Sequence, residues 1–176
     1  SVPDLLQVVT TTPVYRHRPF YLLFVEADED RPLTFRNGAI CGFRSKAQMR
    51  SYLTTVSDTQ FKKARAPRRA DRYPFEPWQC VRTLQERSFD KPGAHGDLYW
   101  TATFGLIAMR CLGVELPRKY SRHLNACADV LTFESNVRAW IGPTESGIDQ
   151  IEQAFSLMGA SVYARIEMVD AERTNV

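Results

Sequence analysis

The stretch Gly42-Phe43-Arg44-Ser45-Lys46 sets a guanidinium, a hydroxyl and an ammonium directly after a glycine and directly before an amphipathic run. With AICGF (39–43) as a strand and a helix beginning at Ser45, the first-turn amides point back at the strand end. The helix dipole adds partial positive charge there. Arg44 then offers a planar fork for a phosphate, Lys46 a point charge, Ser45 an N-cap, and Gly42 a backbone that a bulky group can approach closely. Such a corner suits an anion. The same residues also suit a plain strand-to-helix connection with solvated basic side chains, and local spacing leaves both open.

A second basic group follows. Lys62, Lys63, Arg65, Arg68, Arg69 and Arg72 are interleaved with Phe61, Tyr73, Phe75 and Trp78. Cations of this kind neutralise phosphates and aromatic faces stack on unpaired bases, while the alternative is a solvated loop whose aromatics pack back on the core. From Arg44 to Arg72 nine basic residues stand against Asp58 and Asp71, a balance of +7, whereas the last 32 residues balance to −4, six acids against Arg165 and Arg173. The whole chain carries only +3. This asymmetry predicts one face able to meet an anionic polymer.

Glu26, Asp28, Glu29 and Asp30 form the densest acidic cluster, suited either to magnesium or to a charged turn, with Glu26 nearest the strand end. Cys41, Cys80, Cys111 and Cys127 contain no Cys-x-x-Cys, and His17, His95 and His123 are not spaced with them as ligands, so reduced thiols are expected and no metal ligand set is read. No serine or cysteine hydrolase motif is present.

These groups need elements to hold them. PDLLQVV (3–9) reads as a short helix started by Pro3-Asp4 and ended by Pro13, and PFYLLFVEA (19–27) as a buried strand. LTF (33–35) and AICGF (39–43) read as short strands around an Asn37-Gly38 turn. Ala47, Met49, Tyr52, Leu53 and Val56 keep helical period after Ser45, and 61–78, with three prolines, reads as an extended basic arm. Residues 79–88 suit a strand or a helix, and 91–96 a loop. The apolar run 98–109 reads as a buried helix, capped by Asp97 and ended by Gly113; it is shorter than the roughly 20 residues of a membrane span. Pro117 opens the next helix, Thr144 caps another that stops at Gly159, and 161–169 reads as a final strand. The predicted fold is α/β (α+β): one domain over 1–176, with a small mixed sheet in 3–56, a basic irregular connector in 57–97 and a mainly helical 98–176.

The segment from Asp4 to Leu53 resembles the core of the ParB/sulfiredoxin superfamily, in which a hairpin leads to a Gly-x-x-Arg-type box that opens a helix and binds nucleotide phosphate. Within it, the likeness is greatest to the fertility-inhibition and oncogenic-suppression proteins of conjugative plasmids. Here the box is Gly42-Phe43-Arg44 with Ser45 and Lys46. Sulfiredoxins carry Cys-His-Arg at the box, and Cys41 lies one position too early for that; only the second of two ParB-type arginines is matched, by Arg44. The resemblance implies a nucleotide-hydrolysing, DNA-binding inhibitor of conjugative and type IV secretion DNA transfer. Such a protein uses ATP and Mg2+, has Mg-dependent DNase activity, and meets DNA, nucleotide and coupling components of the secretion machinery. In that scheme Arg44 stabilises the phosphoryl group, Ser45 and Lys46 orient it, and Glu26 is the base or metal ligand. The alternative is a non-catalytic inhibitor or accessory protein that docks a secretion component or nucleic acid through the basic arm. The chain opens on SVPDLL, without a signal-type segment, and a cytoplasmic protein with no membrane insertion is expected.

Overall fold

The computed structural model describes residues 4–15, 18–66, 73–141 and 147–170. The protein is a mixed α/β chain. It divides into two compact units, Ser1–Tyr73 with Arg165–Val176, and Pro74–Ala164.

The first unit holds β1 (Leu5–Thr11), β2 (Phe20–Glu26), β3 (Arg31–Pro32), β4 (Ile40–Gly42), helices α1 (Lys46–Leu53) and α2 (Thr59–Lys63), the start of β5 (Tyr73–Pro74), and the later β6 (Ile166–Met168). The helix expected over 3–9 is not formed: residues 5–9 belong to β1, which pairs antiparallel with β2 from Leu5↔Glu26 to Thr11↔Phe20. The run Val8-Val9-Thr10-Thr11 explains the correction: side chains branched at Cβ lose χ1 freedom in a helix and fit a pleated surface. The sheet order is β3-β2-β1-β5, while β4 pairs in parallel with β6. The bridge Tyr21↔Phe43 ties β2 to the residue after β4, and Thr34↔Ile40 ties β4 to the segment after β3. The Asn37-Gly38 turn forms as expected, with Gly38 at φ 87° and Asn37 Oδ1 accepting from the Ala39 amide at 3.0 Å. Leu6, Leu23, Val25, Leu33, Cys41, Phe43, Met49, Phe61 and Val169 make one apolar cluster beneath this sheet.

Part of the expected basic arm is regular. Asp58 caps α2 by accepting from the Gln60 amide, and Phe61 anchors the helix in the core. Arg31, on β3, grips the start of α2. Its Nη2 lies 2.7 Å from Asp58 Oδ2, its Nε donates to Gln60 Oε1 at 3.1 Å, and the guanidinium stands 4.9 Å from the Phe61 ring centroid.

The second unit is helical: α3 (Pro77–Glu86), α4 (Ala94–Leu112), α5 (Arg118–Phe133), α6 (Val137–Ile141) and α7 (Ile148–Tyr163). Helix α4 starts at Ala94 after Gly93, so 94–96 is helix and not loop, and Asp97 lies in its first turn without capping it. Gly113 ends it in a left-handed conformation, as expected. Helix α7 passes through Gly159 to Tyr163, leaving only Ile166–Met168 of the expected final strand. Gly159 is there because α3 comes close: a Cβ at that position would meet Pro77 Cβ at 2.6 Å. Thr144, the expected cap, lies outside the described residues.

None of the four cysteines is disulfide-bonded. Burial pushes the Cys80 and Cys127 thiols up, and they donate to the carbonyls of Asp97 and Leu98 at 3.3 and 3.6 Å. Among the described residues no helix is long and apolar enough to cross a membrane.

Candidate functional site

The corner after β4 begins with its cap. Ser45 is extended (φ −148°, ψ 159°), and its hydroxyl accepts from the Gln48 amide at 3.0 Å. Gln48 reaches back, its Oε1 accepting from the Arg44 amide at 2.7 Å. This reciprocal pair is a variant of the capping box, and the Ser-x-x-Gln spacing was its sequence signal. Ser45→Ala should lower stability by about 1 kcal/mol in urea unfolding.

Two box residues serve the fold. Gly42 is buried, and a Cβ there would come within 2.7 Å of Met168 Sδ and 3.0 Å of Ile166 Cγ2. The close approach that glycine permits is therefore made by β6. Phe43 is fully buried, and its amide and carbonyl both bond Tyr21 at 2.8 Å. Arg44 also ties β6 down: its Nη1 donates to the Val169 carbonyl at 3.2 Å, which accepts from Gln48 Nε2 at 2.9 Å, while the Val169 amide donates to Gly42 at 2.8 Å.

What remains outward is Arg44, Ser45, Lys46 and Ala47, all exposed. The first two helical amides, of Lys46 and Ala47, have no acceptor among the described residues, as the start of a helix requires. Lys46 Nζ stands 5.8 Å from the Tyr21 ring centroid. Among the described residues no carboxylate pairs with Arg44 or Lys46. The corner thus presents two cations and two amides to solvent.

Glu26 is not part of this corner. It pairs with Leu5 at the far end of β2, five residues from Tyr21, about 17 Å along the strand. Its carboxylate accepts from Gln7 Nε2 at 3.3 Å, and Asp30 Oδ1 accepts from the Ala27 amide, which closes the acidic turn. Among the described residues no group of three or more His, Cys, Asp or Glu side chains could hold a metal ion. The described part of the basic arm lies at this same far end. Lys62 and Lys63 are exposed on α2, and Arg65 is bonded through its backbone to Leu6 and Asp4 at 2.7 and 2.8 Å. Helix α1, about 12 Å long, carries the chain from one end to the other. Arg68, Arg69 and Arg72 lie outside the described residues, as does His17.

The other histidines have structural partners. His95 Nε2 is 2.9 Å from both the Leu131 and Glu134 carbonyls, so that nitrogen carries a proton and closes the end of α5. His123 Nε2 is 3.2 Å from Gln150 Oε1. The network of Arg31, Asp58 and Gln60 had no local signal, because its members are 27 and 29 residues apart.

Tyr52, packed on Phe43 with ring centroids 5.5 Å apart, has its hydroxyl pushed up to about 12, by burial first and then by the neighbouring Cys41. An unfolded tyrosine loses its proton near pH 10. Above that pH the unfolded chain ionises while the folded one does not, so this stability is whole below pH 10 and is lost towards pH 12. Urea midpoints should fall across that window in the wild type and fall less in Tyr52→Phe.

No protein-family model and no curated protein matches the sequence. Among solved structures, the chain is similar to the C-terminal domain of SatS, crystallised in complex with bromine, at 15% identity and a TM-score of 0.58, over 93% of this chain and 94% of that one. The likeness is one of fold.

Proposed function

We propose that this chain is a cytoplasmic protein that binds phosphate-bearing polymers, nucleic acid foremost, through the Arg44–Lys46 corner of its first unit. The carrying observation is the exposure of both cations beside two free helix-start amides, without a carboxylate partner among the described residues. The resemblance to the ParB/sulfiredoxin superfamily supports the same corner as a nucleotide site. It extends the proposal to ATP turnover, Mg-dependent DNA cleavage and inhibition of plasmid DNA transfer.

The second reading, a non-catalytic inhibitor or accessory protein, is favoured by one fact. Glu26, the base assigned by the resemblance, stands about 17 Å from the corner along β2, too far to activate water at a phosphate held by Arg44. Binding is therefore preferred to hydrolysis.

Two measurements test this. Oligonucleotide affinity should fall steeply as salt is raised, and salt-insensitive or absent binding overturns the proposal. ATP turnover in the wild type that disappears in Arg44→Ala supports the hydrolytic extension. Equal turnover in both removes the corner as its site, and no turnover in either leaves the binding protein.

A further inference from the structure

Among the described residues of the first unit, the large apolar side chains left in solvent are Val14 and Tyr15, 69% and 76% exposed. An isolated exposed apolar residue needs no explanation. The position of these two is another matter. They lie in the connection between β1 and β2, beyond the Thr11↔Phe20 pair. Tyr21, one residue into β2, pairs with Phe43. The hairpin tip and the Arg44–Lys46 corner therefore share one end of the unit. Arg18, exposed on the returning arm, adds a third cation with no carboxylate partner among the described residues. Lys46 reaches across to Tyr21, so its ammonium sits on the hairpin's flank. The acidic turn around Asp28 and Asp30 is at the opposite end of β2. Pro13, buried, fixes the chain just before the tip and lowers the entropy lost when the tip is ordered by a ligand.

An exposed tyrosine at the same end of the unit as three exposed cations matches one kind of polymer well. Phosphates are neutralised by ammonium and guanidinium groups, and a tyrosine face gains most from an unpaired base, whose own face is not already stacked in a duplex. We infer that Tyr15 and Arg18, on the two described arms of the β1–β2 connection, form with Lys46 a single-strand nucleic-acid contact, Tyr15 stacking on a base and Arg18 and Lys46 meeting the flanking phosphates. This rests on the phosphate-binding reading of the corner and adds the strand preference and the residue that sets it.

The test is fluorescence anisotropy of one labelled oligonucleotide, single-stranded and as a duplex, at several salt concentrations. Wild type should prefer the single strand. Tyr15→Ala should lose about tenfold on the single strand and little on the duplex, and Tyr15→Phe should retain the preference. Arg18→Gln should reduce the single-strand salt slope by about 0.7. At 76% exposure, Tyr15 can be replaced without disturbing the core, and an unchanged urea midpoint verifies it. Wild-type binding with no loss in Tyr15→Ala, or with equal loss on both forms, overturns the stacking contact and leaves the corner standing. Binding of neither form, or of anionic lipid vesicles alone, overturns the nucleic-acid reading itself.

Discussion

Replacing Phe43 with alanine is expected to cost about 3–5 kcal/mol of stability. The ring is fully buried in the cluster that includes Leu6, Leu23 and Met49, and it packs on Tyr52. Truncation removes both the transfer free energy of the ring and the contacts lining the hole it leaves. Collapse is resisted because the Phe43 backbone is fixed on both sides of its peptide to Tyr21, which holds the cavity open. One residue later the expectation changes. Arg44→Ala removes one hydrogen bond to the Val169 carbonyl from an exposed side chain, worth about 1 kcal/mol. Urea unfolding of the two variants separates them. A Phe43→Ala loss no larger than that of Arg44→Ala would mean that the ring is not the keystone of this core. The contrast also governs how binding data on the box are interpreted. Lost binding in Phe43→Ala reports unfolding, whereas lost binding in Arg44→Ala with a near-normal midpoint reports the surface.

The elements legible in the sequence are those whose signals are local. Ser45 caps α1, the Asn37-Gly38 turn brings Thr34 opposite Ile40, and Gly113 ends α4, each through bonds within a few residues. Non-local partners overrode the rest. Pro3-Asp4 resembles a helix start, but the branched run after it finds a seven-residue partner in β2. Gly159 looks like a stop until Pro77, 82 residues earlier, is seen to occupy the space a side chain would need. The parallel pairing of β4 with β6 joins residues 126 apart, and Gly42 serves it.

The candidate site was half legible for the same reason. Arg44 and Lys46 share a corner because they share a helix start. Glu26 and the arm at 62–65 look close to that corner in the chain, yet strand β2 and helix α1 carry them to the other end of the unit. Strand β2 and helix α1 both run away from the corner, and so turn nearness in sequence into separation in space. Tyr15 shows the converse. It lies 29 residues before Arg44, and the Tyr21↔Phe43 bridge brings its hairpin to the same end.

The double substitution Arg44→Gln with Lys46→Gln should weaken single-strand binding by roughly 70-fold at 50 mM salt and roughly tenfold at 200 mM. The estimate follows from counterion release. Each phosphate neutralised on a single strand contributes about 0.7 to the slope of log affinity against log salt, so two lost contacts remove about 1.4. The deficit must therefore shrink as salt rises and vanish near 1 M. That salt dependence distinguishes a phosphate contact from a structural role. Loss of the Val169 bond would loosen the end of β6 and lower affinity by a factor that salt leaves alone. Lys46→Gln by itself is the cleaner arm, since its ammonium has no hydrogen-bond partner among the described residues and only faces the Tyr21 ring. It should remove about half of the slope change with no shift in urea midpoint. A double variant whose slope equals that of the wild type would move the phosphate contacts away from this corner, leaving Lys62, Lys63 and Arg65 at the far end as the cations to test next.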